Sequence, residues 1–250
     1  MNEPARDAPL LEARGVGKRF GGVQALREVS FRVAEGEVVA LAGDNGAGKS
    51  TLIKILSGVF PPSSGELRAN GQPVAFENPQ HARSLGVETI YQDLALADNL
   101  DVGANVFLGR ERMRRVFGLP VLDRRGMREE AAKALEALDI GLDRLDRPVR
   151  ALSGGQRQCV AIGRAIHWKA RVLIMDEPTA ALGVPEQRRV MALIRTLKAA
   201  GVGVVFISHN LGDIFDVSDR IVVLRRGQNV GERLTAQASG DEIVRLMVGG

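Results

Sequence analysis

The feature that most constrains this chain is the stretch Gly43-Asp44-Asn45-Gly46-Ala47-Gly48-Lys49-Ser50. It follows a short apolar run, Val38-Val39-Ala40-Leu41-Ala42, and residues 51–56 after it read as the first turns of a helix. Every defined position of the pattern G-x-x-x-x-G-K-[ST] is filled. Glycines remove the Cβ atoms that would keep a backbone from wrapping an anion. The helix behind them aims free N–H groups and a positive dipole end at that anion. A loop of this kind needs a buried strand leading in and a helix leading out, which predicts an α/β core with a mainly parallel sheet. Gly43 to Ser50, with Thr51, are therefore candidate phosphate-binding residues. Lys49 is placed to reach the β and γ phosphates, and the Ser50 hydroxyl to ligate magnesium.

The rest of the chain agrees with an α/β core. Residues 172–175, 202–207 and 221–224 read as buried strands. Residues 185–200 put Val190, Leu193, Ile194 and Leu197 on one helical face, with Pro185 at the start and Gly201 at the end. Arg226-Gly227 reads as a turn. Near the N-terminus Val29, Phe31 and Val33 alternate and residues 65–74 have strand-and-turn character, which predicts an antiparallel β region. From about Asp98 to Arg150 the strand signals stop. Residues 123–138 read as an amphipathic helix with Asp123 as its N-cap. The basic cluster at residues 110–115 reads as a solvated face rather than a binding site. One domain over 1–250 is expected, with a nucleotide-binding core at about 1–92 and 159–250. An inserted α-helical subdomain is expected at about 93–158.

Composition excludes several classes. With 250 residues, 45% hydrophobic and 26% charged, the chain is long and apolar enough for a full core. No apolar run reaches the roughly 18 residues of a membrane span. Residues 1–9 carry acidic side chains and two prolines without an apolar segment, so no secretory signal is read. The lone Cys159 permits no internal disulfide and suits a reducing cytosol. A net charge of +4 points to neither nucleic acid nor anionic lipid, and no nucleic-acid partner is expected.

Met175 ends an apolar strand and Asp176-Glu177 follow at once. A carboxylate at the carboxyl end of a parallel strand faces the ligand crevice. Asp176 is placed to hold magnesium through water, and Glu177 to orient or deprotonate an attacking water. His209 follows the strand ending at Ile207-Ser208. Such a histidine is usually structural, yet here it can approach the γ phosphate. His81 and His167 have no comparable placement.

Together these residues resemble the nucleotide-binding subunit of ABC (ATP-binding cassette) transporters, over nearly the whole chain. Leu152-Ser153-Gly154-Gly155-Gln156 matches the family signature. The resemblance implies ATP and magnesium as ligands. It makes Tyr91-Gln92-Asp93 the Q-loop, with Gln92 reaching magnesium and the attacking water, and His209 the switch histidine. Phe20 looks like the aromatic that stacks on adenine, with a core phenylalanine as the alternative reading. Ser153 opens another helix N-terminus, which in the family binds the γ phosphate of ATP held by a partner copy. A homodimer with two shared sites is implied. The family's D-loop commonly has aspartate where Gly183 stands, a departure that bears on one contact between copies.

The run from Tyr91 through Asn105-Val106-Phe107-Leu108-Gly109-Arg110 is similar to sugar importers of the ribose, xylose and fructose type. So are Gly43-Asp44-Asn45-Gly46 and the ending Leu246-Met247-Val248-Gly249. The partners implied are transmembrane permease subunits and, indirectly, an extracytoplasmic solute-binding protein, with the chain on the cytoplasmic side of the membrane. A P-loop kinase or GTPase would lack the signature. A DNA-repair ATPase of this type would need a long coiled coil, and the stretch from Lys49 to Ser153 has no room for one. A ribosome-acting relative would usually carry two cassettes. A nucleotide-sensing module would not need Glu177. Export, or import of a non-sugar solute, is the remaining alternative.

Overall fold

The computed structural model describes residues 9–138, 140 and 145–249. The N-terminal reading at residues 1–8 and a short piece of the expected helical subdomain, residues 139 and 141–144, lie outside the described residues. Elements follow in the order β1 (Leu11–Phe20), β2 (Val23–Val33), β3 (Val38–Ala42), α1 (Lys49–Leu56), β4 (Ser64–Ala69), β5 (Gln72–Val74), α2 (Pro79–Ser84) and β6 (Val87–Ile90). Next come α3 (Val102–Val106), β7 (Met113–Val116), β8 (Leu119–Leu122), α4 (Arg124–Glu136) and α5 (Gly154–His167). The chain returns through β9 (Val172–Asp176), α6 (Val184–Ala199), β10 (Gly203–Ile207), α7 (Leu211–Val217), β11 (Arg220–Arg225), β12 (Gln228–Leu234) and α8 (Gly240–Val248).

The central sheet has the order β12-β11-β3-β10-β9-β6 and is parallel except for the edge strand β12. Its strands β3, β9, β10 and β11 are buried on both faces, so alternate residues enter different cores. Val39 and Leu41 face α1 and the antiparallel sheet β2-β1-β4-β5, together with Leu26, Phe31 and Leu52. Val38, Ala40 and Ala42 face α6, α7 and α8, together with Val190, Leu193 and Ile243. Each fully buried aliphatic side chain contributes about 1.5–3 kcal/mol by leaving water. This two-sided burial is why the strands read as unbroken apolar runs. Gly201 ends α6 with φ +85°, and Arg226 and Gly227 turn β11 into β12 with φ +49° and +76°.

The helical segment is tied to the core through α5. Val160 joins Val102, Leu135 and Val149 on one side, while Ala161 and Ile162 join the main core on the other. The Asp123 side chain caps α4 by accepting the Gly126 N–H at 3.0 Å. The expectation of no strand between Asp98 and Arg150 is corrected: β7 and β8 pair as an antiparallel hairpin. Its turn is Phe117-Gly118, not the Asn-Gly that announces a two-residue turn, and Pro120 in β8 counts against a strand reading.

One buried charge closes the edge of the sheet. Arg220, on β11, donates to Glu37 at 2.8 Å, to Glu232 at 3.0 Å and to the Arg32 carbonyl at 2.8 Å. Its side chain is 7% exposed. Arg220→Ala takes the donors from Glu37 Oε1 and from that carbonyl, leaving Glu37 only the Ala34 N–H on Oε2. We expect a loss of about 3 kcal/mol in urea unfolding; an unchanged midpoint would show that the network contributes nothing.

Candidate functional site

The strand order lines up the carboxyl ends of four neighbours. Leu41 of β3 pairs with Ile207 of β10, Ile207 with Asp176 of β9, and Met175 of β9 with Ile90 of β6. The glycine loop, His209, the Asp176-Glu177 pair and Gln92 therefore leave the sheet along one edge. Open α/β sheets hold their ligands at this edge.

Within the glycine loop, Gly43 has φ +149° and Gly48 φ +106°. A Cβ at Gly43 would run into the Leu224 carbonyl, and one at Gly48 into the Leu26 side chain. Both glycines are thus needed to seat the loop between β11 and β2. No side chain caps α1. The N–H groups of Lys49, Ser50 and Thr51 consequently have no acceptor among the described residues and open onto the loop. The Lys49 ammonium folds back and donates to the carbonyls of Gly43 at 2.6 Å and Asp44 at 3.2 Å. A side chain so placed is free to exchange carbonyls for an anion. Asp44, Asn45, Gly46 and Ala47 also line a cavity of about 250 Å³ shared with Arg225, Arg226, Met247 and Val248.

Across from the loop, Glu177 sits in the left-handed region at φ +52°, and its N–H donates to the Ile207 carbonyl at 3.0 Å. That conformation is uncommon outside glycine and persists only where the surroundings impose it. It brings Glu177 Oε2 to 2.9 Å from His209 Nδ1. Glu177 is largely covered and His209 is 75% exposed. Asp176 is half-buried. Burial, and next the Glu177 charge, push its carboxyl above the ordinary range, while Lys49 and Lys54 pull it down. The ammonium of the loop thus lies within electrostatic reach of this carboxylate.

Gln92 leaves β6 exposed and makes no hydrogen bond to a described residue. The chain around it is held at two points. The Tyr91 hydroxyl meets Ser57 Oγ at 3.0 Å, and Arg164 of α5 donates to the carbonyls of Leu94 at 3.1 Å and Ala95 at 3.0 Å. Phe20 ends β1 on the antiparallel sheet and is half exposed, not a core residue. Its ring meets Phe60 edge-on at 5.3 Å, with the Lys18 ammonium over both rings.

Leu152 to Gln156 stand apart, with no hydrogen bond to the glycine loop. Ser153 Oγ accepts the Gln156 N–H at 3.3 Å and Gln156 Oε1 accepts the Ser153 N–H at 3.0 Å, a reciprocal cap on α5. Gly154 faces the tip of Leu182, and Gly155 faces Glu186 so closely that a Cβ would clash with its Cβ. Glu186 also accepts the Gly183 N–H at 3.2 Å. The Ser153 hydroxyl first, then the N–H groups of Gly183 and Gly155, hold its carboxyl below the ordinary range. Gly183 itself has φ −70°, and a Cβ there would make ordinary contacts with Glu186 Oε2 at 3.6 Å and Pro185 at 3.8 Å, so the backbone does not require glycine.

Three positioning residues escaped the sequence reading. Glu186 could have been found from its capping-box spacing after Gly183. Arg164 gave no signal, because its acceptors lie far away in the chain. Asp213 gave none either. It is buried and accepts Thr179 Oγ1 at 2.7 Å and Gln187 Nε2 at 2.6 Å, tying the segment after Glu177 to the helix after His209.

Residues 26–180 match the ABC transporter family, and the chain belongs to it as an ATP-binding, ATP-hydrolysing cassette. Among its relatives, the xylose/arabinose import ATP-binding protein XylG of Sulfolobus acidocaldarius is 49% identical, over 95% of this chain and 93% of that protein. The fructose import ATP-binding protein FrcA of Rhizobium meliloti is 46% identical, over 89% and 87%. The ribose import ATP-binding protein RbsA 1 of Rubrobacter xylanophilus is 50% identical, but the chain spans only 47% of its length. A nucleotide-free ATP-binding cassette from an ABC transporter superposes with a TM-score of 0.79 at 26% identity, over 97% of this chain and 96% of that one. No helix among the described residues is long and apolar enough to cross a membrane.

The raised Asp176 carboxyl has a consequence for stability. The folded protein holds this proton more tightly than the unfolded chain. Ionisation costs stability as pH rises from the ordinary aspartate range to the raised value, and the full cost persists above it. Without added divalent cation, Asp176→Asn should be more stable than the parent at neutral pH. That advantage should vanish as pH falls below the ordinary range; a destabilised variant at neutral pH would contradict it. Thermal melts across pH measure this.

Proposed function

We propose that the chain energises a monosaccharide importer, and that ATP sits between the glycine loop of one copy and Ser153 of another. The names of its xylose/arabinose, ribose and fructose relatives support the sugar reading. The partners would be permease subunits in the membrane, with the cassette on the cytoplasmic side, and a solute-binding protein outside. Sugar uptake in a deletion strain, with co-purification of a permease, tests the cargo.

The observation that carries the hydrolytic assignment is the 2.9 Å contact of Glu177 with His209, at strand ends beside the Lys49 loop. In this reading the N–H groups of Gly46 to Thr51 bind the phosphates and Lys49 swings from its loop carbonyls onto the β and γ oxygens. Glu177 orients or deprotonates the attacking water, and His209 positions Glu177 and the γ phosphate. Gln92 reaches the same water when its loop moves inward, and Phe20 stacks on adenine. Leu152 to Gln156 present the α5 N-terminus to the γ phosphate of the neighbouring copy.

The chemistry of the residues fits magnesium. No cluster of three or more His, Cys, Asp or Glu among the described residues forms a metal cage. The Ser50 hydroxyl and half-buried Asp176 are instead a sparse oxygen set, which suits a magnesium ion that keeps waters and phosphate oxygens. Ser50, Asp176 and Gln92 would hold it, and it would supply positive charge against the β and γ phosphates.

Glu177→Gln should keep ATP affinity and lower turnover by about 10²–10⁴-fold. Near-normal phosphate release would reject the assignment. The same variant with ATP should elute as a dimer on size exclusion, and a monomer would reject the bridging role of ATP.

A further inference from the structure

The hairpin β7–β8 is built unlike the rest of the surface. Phe117, at its tip, is fully exposed, and Met113, Leu119 and Val121 are exposed on its strands. Six arginines flank it at positions 110, 112, 114, 115, 124 and 125, against Glu111 and Asp123. Arg112 pairs with Glu130, Arg125 with Glu129, and Arg110 lies over the Trp168 ring at 4.6 Å. Arg114, Arg115 and Arg124 have no carboxylate partner among the described residues. The root is fixed by the Asp123 N–H donating to the Arg112 carbonyl at 2.8 Å and by Leu122 packing near Met127.

The side chains are layered along the hairpin axis. Val116 and Leu119, which face each other across the strands, and Phe117 in the turn make an apolar tip. Arg114 and Arg115 form the tier behind it, and their long stems allow the charged ends to lie at a different depth from the backbone. At about 3.3 Å per strand residue, the backbone of the apolar tier ahead of the arginines is roughly 3–7 Å deep. That overlaps the shallow part of the range over which apolar groups enter the boundary between headgroups and acyl chains. Apolar groups occur on both faces and at the tip, which suits a medium that surrounds the hairpin better than a protein groove that meets one face. Phe117 also sits at φ +49°, followed by Gly118 at φ +81°. A turn with two positive φ angles favours Asn-Gly, so the aromatic ring is held there against local preference.

We propose that this hairpin docks on anionic lipid: Phe117 and Leu119 enter the bilayer boundary while Arg114 and Arg115 engage headgroup phosphates. The inference adds to the transport reading the cassette's own contact with the membrane. It uses no nucleotide chemistry, so its failure leaves the ATPase assignment standing.

The test is sedimentation of the purified nucleotide-free chain with phosphatidylcholine vesicles, with and without phosphatidylglycerol. The chain should pellet with the anionic vesicles only, and less so as salt rises. Phe117→Asn installs the favoured Asn-Gly turn, so the hairpin stays folded, yet partitioning should drop by about tenfold or more as a buried ring is lost. Arg114→Glu with Arg115→Glu should abolish it, and ATPase activity should match the parent in both variants. No pelleting of the parent with anionic vesicles would overturn the proposal, including the case in which a protein partner covers the hairpin instead. Unchanged binding by Phe117→Asn would overturn it as well, since the arginines would then only adsorb.

Discussion

The N–H groups of Lys49, Ser50 and Thr51 open a helix that no side chain among the described residues caps, and the sheet holds that helix end in place. Gly43 and Gly48 allow it to lie against Leu224 and Leu26 with no Cβ between. A helix end left unsatisfied is a standing cost unless water or a ligand meets it. Phosphate oxygens meet it best, because they bring both acceptors and negative charge. The strand order then decides what surrounds that anion. With β10 next to β3 and β9 next to β10, His209 and the Asp176-Glu177 pair arrive from adjacent strand ends without any long loop.

The second glycine-bearing helix end is in a different condition. Ser153 and Gln156 cap α5 reciprocally, and the Glu186 carboxylate lies against Ser153 and Gly155. The α5 helix also holds Leu94 and Ala95, just past Gln92, through Arg164, while Asp213 joins the segment after Glu177 to the helix after His209. Residues 152–156, the segment after Gln92 and the segment after Glu177 are thus each anchored by polar links to α5, α6 or α7. Movement of α5 as a body would be felt at Leu94 and Ala95 directly, and at Glu177 through residues 178–186. This gives the cassette a physical route between phosphate chemistry and whatever packs on its helical face.

Much of the core was legible because burial on both faces leaves uninterrupted apolar strands, and because glycine loops carry a spacing. Residues 38–42, 172–175 and 202–207 are such runs, and Pro185 and Gly201 marked the ends of α6. The hairpin β7–β8 was not legible. It buries little, so it has no alternation toward a core, and its turn residues break the usual preference. The geometry of Glu177 was also hidden. Sequence placed it just past the strand, second after Met175, but the left-handed backbone that turns it toward His209 comes from the bond to Ile207, thirty residues away in sequence. Asp213 and Arg164 stayed silent for the same reason, since side chains that act across distant segments leave no local pattern.

The central claim is that a working triphosphate site takes Lys49 from one copy and Ser153 from another. Its most direct test mixes two disabled chains, Lys49→Ala and Ser153→Arg, and measures phosphate release. Each should be inactive alone. In the mixed dimer, one interface pairs an intact glycine loop with an intact signature, so activity should return on mixing. A mixture as inactive as its parts would mean that each copy completes its own site, and the shared-site mechanism would be wrong.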